Sequence, residues 1–252
     1  MSASSESFFI GWAAAPKRLR AFLGAAALSV VAVFGGLGWL LAAAQDDPGD
    51  GAFRWDWGRQ EAVGVLTAQP YPVLHVVESD RFPAGGALLL SGVGKRGVRD
   101  RAEPLDGRLV RASGVALKRG DLDMLQLRGG SAGLAAAEGR GVAPEAVDLG
   151  RWRVTGEICD GKCYAGAMRP GEGIAHKACA NLCITGGAPP LFVATGPIDG
   201  EDILLLADAE GGPIPEALLA RTAEIVEIEG RAERRGGLVV LKVDPETVRR
   251  AP

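Results

Sequence analysis

Cys159, Cys163, Cys179 and Cys183 are the only cysteines in this 252-residue chain, and with His176, one of its two histidines, they fall within 25 consecutive residues. Thiols used as small apolar filler would be scattered. Gathered around an imidazole, they suggest a metal site, a redox thiol site or a pair of disulfides. The segment Ile174–Ile184 reads as a short helix, capped by Thr185, Gly186 and Gly187 and stopped by Pro189 and Pro190. On such a helix His176, Cys179 and Cys183 lie at relative angles of about 0°, 300° and 340°, so three potential ligands share one face. Cys163 comes from the end of the preceding strand, and the turn from Arg169 to Gly173 folds it back toward that face. The set Cys163, His176, Cys179 and Cys183 suits tetrahedral zinc, or copper through its soft thiolates. Cys159 is then a further ligand or a disulfide partner.

The rival reading is two disulfides that brace a long loop. Four cysteines allow three pairings. A Cys179–Cys183 bridge across one helical turn is awkward, which leaves Cys159 or Cys163 to pair with the helix cysteines. A reversible dithiol is a third use of the same residues. Covalent c-type haem is disfavoured because there is no Cys-x-x-Cys-His run, and an iron–sulfur cluster would have to recruit Cys159 as its fourth thiolate. With two histidines no Ser-His-Asp arrangement is readable, and no catalytic residue is assigned. His75, between Leu74 and Val76, reads as a packed strand histidine. Met168 reads as packing near Tyr164.

The elements that must position these residues repeat. Residues 87–127 lie on 203–243 at a constant offset of 116: Leu88, Leu89 and Leu90 on Leu204, Leu205 and Leu206, Gly114 on Gly230, Arg119 and Gly120 on Arg235 and Gly236. Each copy alternates in strand fashion, as in Val110, Ala112 and Gly114 or Val226, Ile228 and Gly230, and then turns at a glycine into a returning strand. A meander plus hairpin with one intervening helical segment, supplied in the second copy by Pro215–Ala220, fits a five-stranded, partly closed barrel of the OB type. The first strands align instead at an offset of 92, Gly64 on Gly156. About 24 residues are therefore inserted after the first strand of the second copy, and they carry the Cys/His cluster. The expected fold is mainly β: a transmembrane helix, then two tandem OB-like barrels, the second with an inserted Cys/His loop (159–187) and short helix. The boundaries are a tail at 1–20, the helix at 21–44, a juxtamembrane linker at 45–57, a first barrel at 58–128, a linker at 129–150 with a loose helical turn, and a second barrel at 151–252.

The segment Ala21–Ala44 has no charge over 24 residues and would reach ~36 Å as a helix, enough for a bilayer core. Lys17, Arg18 and Arg20 precede it and Asp46, Asp47 and Asp50 follow it. The positive-inside rule then leaves the N-terminus in the cytoplasm and the remainder in the periplasm, on one pass of the bacterial inner membrane. Ala42, Ala43 and Ala44 resemble a signal-peptidase site, but the apolar run is longer than a signal peptide needs. Trp55 and Trp57 cap the first barrel or sit at the membrane interface. Beyond residue 44 there are 25 basic and 30 acidic side chains, a balance that speaks against a nucleic-acid partner.

The run Gly156–Gly173, with Lys162, Cys163, Tyr164, Gly166, Met168, Pro170 and Gly171, continues through His176, Lys177, Ala178 and Cys179 to Cys183 and Pro190. It resembles a family of bacterial exported proteins with small OB-like β domains, often membrane-anchored, to which no activity is attached. The likeness covers mainly residues 150–250. In that family the position of Cys159 is often apolar, whereas Cys163, His176, Cys179 and Cys183 match the motif, so the resemblance implies a metal set with Cys159 as an extra. The expectation is a membrane-anchored accessory protein with a Cys/His metal or redox site, serving a membrane protein partner such as an oxidoreductase. The alternative is a non-catalytic interaction scaffold whose cysteines form structural disulfides.

Overall fold

The computed structural model describes residues 16–44 and 49–251. The tail at 1–15 and the acids Asp46 and Asp47 lie outside the described residues. The uncharged run forms one helix, α1 (Arg20–Ala44), with exposed apolar side chains such as Phe22, Phe34 and Trp39, and it is long and apolar enough to cross a membrane.

Residues 49–251 are a separate unit of two barrels. The first contains β1 (Ala52–Phe53), β2 (Arg59–Thr67), β3 (Val73–Ser79), β4 (Ala87–Ser91), α2 (Arg99–Ala102), β5 (Leu109–Arg119), β6 (Leu122–Leu127) and β7 (Leu134–Ala136). The second contains β8 (Ala146–Asp160), α3 (Lys177–Thr185), β9 (Pro190–Ile198), β10 (Glu201–Ala207), β11 (Ile225–Arg235), β12 (Leu238–Val243) and β13 (Arg249–Arg250). The first closes in the order β5-β2-β3-β4-β6 and back to β5, and the second as β11-β8-β9-β10-β12 and back to β11. In each, only the third and fifth barrel strands run parallel, which is the OB arrangement. Their registers correspond. Leu89 opposes Met124 and Leu90 opposes Leu125, while Leu205 opposes Val240 and Leu206 opposes Leu241, each number larger by 116. Gly64 opposes Val110 where Gly156 opposes Val226. At the barrel seam a side chain on Gly114 would place its Cβ 2.1 Å from the Gln126 carbonyl oxygen, and one on Gly230 would stand 2.3 Å from that of Lys242, so both positions need glycine.

Each barrel has its own core, around Leu66, Leu90 and Leu125 in the first and Ile158, Phe192 and Leu241 in the second. A third apolar cluster joins them: Leu89, Leu117 and Met124 meet Leu191, Leu205 and Val240. Each such side chain fully withdrawn from water contributes about 1.5–3 kcal/mol, so the joint is a core in its own right. Arginines at matching strand ends cross it in opposite directions. Arg119 donates to Glu172 at 3.1 Å and stacks 4.1 Å over Tyr164, and Arg235 donates to the Gln69 carbonyl at 3.1 Å.

Several boundaries differ from expectation. Residues 129–150 contain a single hydrogen-bonded turn, Gly133 N–H to the Gly130 carbonyl at 3.1 Å, and more strand than a linker would have: β7 pairs with β5, and β8 already starts at Ala146 against Arg235. Within 45–57, β1 pairs with β5, and the turn Trp55–Trp57 places Trp57 against the first core while Trp55 stays exposed. The helical segment expected at Pro215–Ala220 is a 3-10 turn, Glu216–Arg221.

Candidate metal centre at the joint of the barrels

The insertion leaves β8 at Asp160 and runs through a π-helical turn, Cys163–Ala167, and a 3-10 turn, Ile174–His176, into α3, then returns as β9. Asp160 shapes the exit. Its Oδ1 accepts from the Cys163 backbone N–H at 2.8 Å, and its Oδ2 is 3.0 Å from Nε2 of His176. This carboxylate is fully buried, and burial without such partners would cost several kcal/mol. Cys163 starts the π turn and is not part of the strand. His176 is the N-cap of α3, at the end of the 3-10 turn, and its ligand nitrogen groups with Asp160 and Cys163, whereas the sulfurs of Cys179 and Cys183 group with Cys163. The 3-10 geometry before it turns its imidazole toward Asp160.

Potential ligands therefore form two overlapping groups, Cys163 with Cys179 and Cys183, and Asp160 with Cys163 and His176. Within each the ligand atoms lie within 4.8 Å of one another, and Cys163 belongs to both. Its Sγ is 3.9 Å from that of Cys179 and 3.9 Å from that of Cys183. Sulfurs bound ~2.3 Å from one tetrahedral zinc stand about 3.8 Å apart, so the three thiols are spaced to hold one ion. The four residues named from the sequence are all brought together, and this Cys/His cluster could bind a metal. Cys159 stands apart. Its thiol donates to Glu157 at 3.3 Å, its side chain packs in the core of the joint, and it belongs to neither group. All four cysteines are free thiols.

Two lysines that were not among the expected ligands stand at the site, Lys162 from within the motif and Lys95 from far outside it. Lys95, from the loop after β4 in the first barrel, places Nζ 2.6 Å from the Cys179 sulfur and 3.5 Å from that of Cys183. The contact to Cys179 holds its ammonium well above the usual lysine range. Lys162 is buried and donates to the carbonyls of Gly92 and Gly94, at 2.6 and 2.7 Å, and burial pushes its ammonium down. The hydrogen bond between Cys163 and Cys183 splits that pair: Cys183 goes down as the acceptor, helped by Lys95, and Cys163 goes up. Burial beside Glu157 raises the Cys159 thiol well above its ordinary value, which leaves it the inert member. The 95–97 loop fits closely on α3: Gly97 N–H donates to the Gly186 carbonyl at 2.7 Å, and a Cβ on Gly186 would fall 1.9 Å from the Lys95 carbonyl oxygen. Met168, expected to pack, is 45% exposed. His75 is buried, as expected, with Nε2 3.1 Å from the Thr67 hydroxyl.

Asp160 had a faint local signal, an aspartate three residues before a cysteine in a turn-forming Asp-Gly sequence. Lys95 had none, being 84 residues from Cys179. Comparison of the chain with protein-family models, with curated proteins and with solved structures finds no match.

Proposed function

We propose that this chain is a membrane-anchored protein whose barrels, outside the cytoplasmic membrane, present a soft-metal centre to a membrane protein partner of the oxidoreductase class. The observation that carries the metal reading is the pair of 3.9 Å sulfur separations that converge on Cys163. Cys163, Cys179 and Cys183 would hold the ion, with His176 as the fourth ligand and Asp160 orienting the imidazole. The thiolate-rich set selects zinc or copper(I) over hard cations. The resemblance of the Cys163–Cys183 run to exported bacterial proteins supports the same reading, and the anchor with basic residues before it supports the orientation.

The test is a metal count on the full chain, extracted in detergent, reduced, stripped by a chelator and reloaded. One zinc per chain, and a tetrahedral thiolate spectrum with cobalt in its place, are expected. Two disulfides and no bound metal in the chain as isolated would favour the scaffold reading, in which Cys163 is equally close to two partners. Intact mass of the extracted chain checks the anchor: a mass starting at Gln45, found in a soluble fraction, would remove it.

A further inference from the structure

Beside the thiol site, on the other side of the 92–97 loop, a cleft of about 540 Å³ opens between the barrels. In a chain of net charge −3, it is lined by four arginines, Arg96, Arg99, Arg101 and Arg128, against one acid, Asp100. Two of the four have partners in the protein. Arg99 donates to the Pro70 carbonyl at 2.6 Å and also stands 3.9 Å from the Glu103 carboxylate, and Arg101 donates to the Gly130 carbonyl at 2.7 Å. The guanidinium groups of Arg96 and Arg128 have no hydrogen bond or ion pair among the described residues. The Gly97–Gly186 hydrogen bond and Lys162 fix the loop that carries Arg96, and the Arg128 N–H donates to the Ser113 carbonyl at 3.0 Å, so both unpaired arginines are mounted on tethered backbone.

A second cleft, of about 370 Å³, continues from the first and shares Arg99, Thr185 and Gly187 with it. Its character is different: Ile184, Pro213, Ile214 and Leu219 line it, with Tyr71 and one acid, Glu216. The groove thus has a cationic end and an apolar end, with Arg99 at the junction. Guanidinium forks match the oxygens of a phosphate in pairs, and a dianion answers two unpaired arginines better than a single carboxylate does. We propose that this groove binds a phosphate monoester with a compact apolar body, the phosphate among Arg96, Arg99 and Arg128 and the body against Ile184 and Ile214. This site is separate from the thiol centre and does not depend on the metal reading.

Phenyl phosphate is the probe, with inorganic phosphate and phenol as its two halves, titrated calorimetrically into the full chain held in phosphatidylcholine nanodiscs. Phenyl phosphate should bind more tightly than either half. Arg96→Gln with Arg128→Gln should weaken both phosphates about tenfold or more. Ile214→Ser should weaken phenyl phosphate alone, and its unchanged response to inorganic phosphate shows that the variant is folded. Repeating the titration in discs containing phosphatidic acid separates two sources of the same chemistry. An unchanged affinity assigns the groove to a soluble monoester, and a weakened apparent affinity assigns it to a lipid head group. Phenyl phosphate binding no better than phenol, or binding the arginine variant as it binds the wild type, would overturn the proposal.

Discussion

Replacing Lys95 by methionine tests whether the first barrel takes part in the thiol site. Three thiols that take up a divalent ion as thiolates turn a neutral cluster into one of net negative charge, so a fixed cation alongside favours the loaded state. The Lys95 ammonium stands 2.6 and 3.5 Å from two of the sulfurs. Unit charges ~4 Å apart interact by about 1 kcal/mol in water and about 4 kcal/mol at an effective dielectric of 20. Lys95 is solvent-exposed, so the lower part of that range applies, about 1–2 kcal/mol, or roughly a five- to thirtyfold change in affinity. Lys95→Met should raise the zinc Kd by that factor, read by competition with a chromophoric chelator, and Lys95→Arg should recover most of it. High salt should narrow the gap between wild type and Lys95→Met, because the lost interaction is exposed. A Lys95→Met protein that binds zinc as tightly as the wild type, or more tightly, would refute this reasoning. The ammonium would then be competing with the ion for the sulfurs.

Alanine at Cys163, Cys179 or Cys183 should abolish stoichiometric zinc, and His176→Ala should weaken it, whereas Cys159→Ala should keep one zinc per chain by elemental analysis, because its sulfur packs in the joint. Asp160→Ala should cost about 2–4 kcal/mol in urea unfolding of the reduced, metal-free protein, since it leaves a buried N–H and a buried imidazole without their acceptor. His75 is pushed down from 6.5 to about 4, chiefly by burial and then by Arg235. The unfolded chain therefore takes up that proton first. The associated stability is complete above pH 6.5 and is lost as the pH falls toward 4, by up to about 2–3 kcal/mol. His75→Gln should flatten the melting profile over that window, and an unchanged slope would remove His75 as its source.

The barrels were legible because their strands alternate and their seams need glycine. Gly114 and Gly230 mark the same close approach of β5 to β6 and of β11 to β12, and the leucine runs that align at 116 are the parallel strands of each barrel. The segment before Arg151 was illegible for the opposite reason. The first half of β8 buries almost nothing, so no hydrophobic alternation announces it. It is held by its ladder to β11 and by surface ion pairs such as Arg231 with Asp148 and Arg151 with Glu229. In the insertion, the residue types announced the ligands, but helical angles placed His176 on the wrong element. A 3-10 turn ahead of α3 changes the angle per residue, and the imidazole then meets the buried Asp160 carboxylate at 3.0 Å.

The joint explains why only the second barrel carries the cluster. A loop of this length on an isolated barrel would have to order itself, at a backbone cost of about 1–2 kcal/mol per residue. Here it is pinned to the other barrel at several points, among them Lys162 on Gly92 and Gly94, Gly186 on Gly97, Glu172 with Tyr164 on Arg119, and Arg169 on the Gly51 carbonyl. The matching loop of the first barrel is short, and Tyr71 uses it to accept a hydrogen bond from the Ile214 N–H of the second. Arg119 and Arg235 occupy equivalent strand ends, yet one braces the Cys/His loop while the other reaches a plain carbonyl at Gln69. The same reciprocal interface is thus put to two uses. The undecorated barrel is the platform: it supplies the surface on which the thiols are ordered and, through Lys95, the charge that faces them.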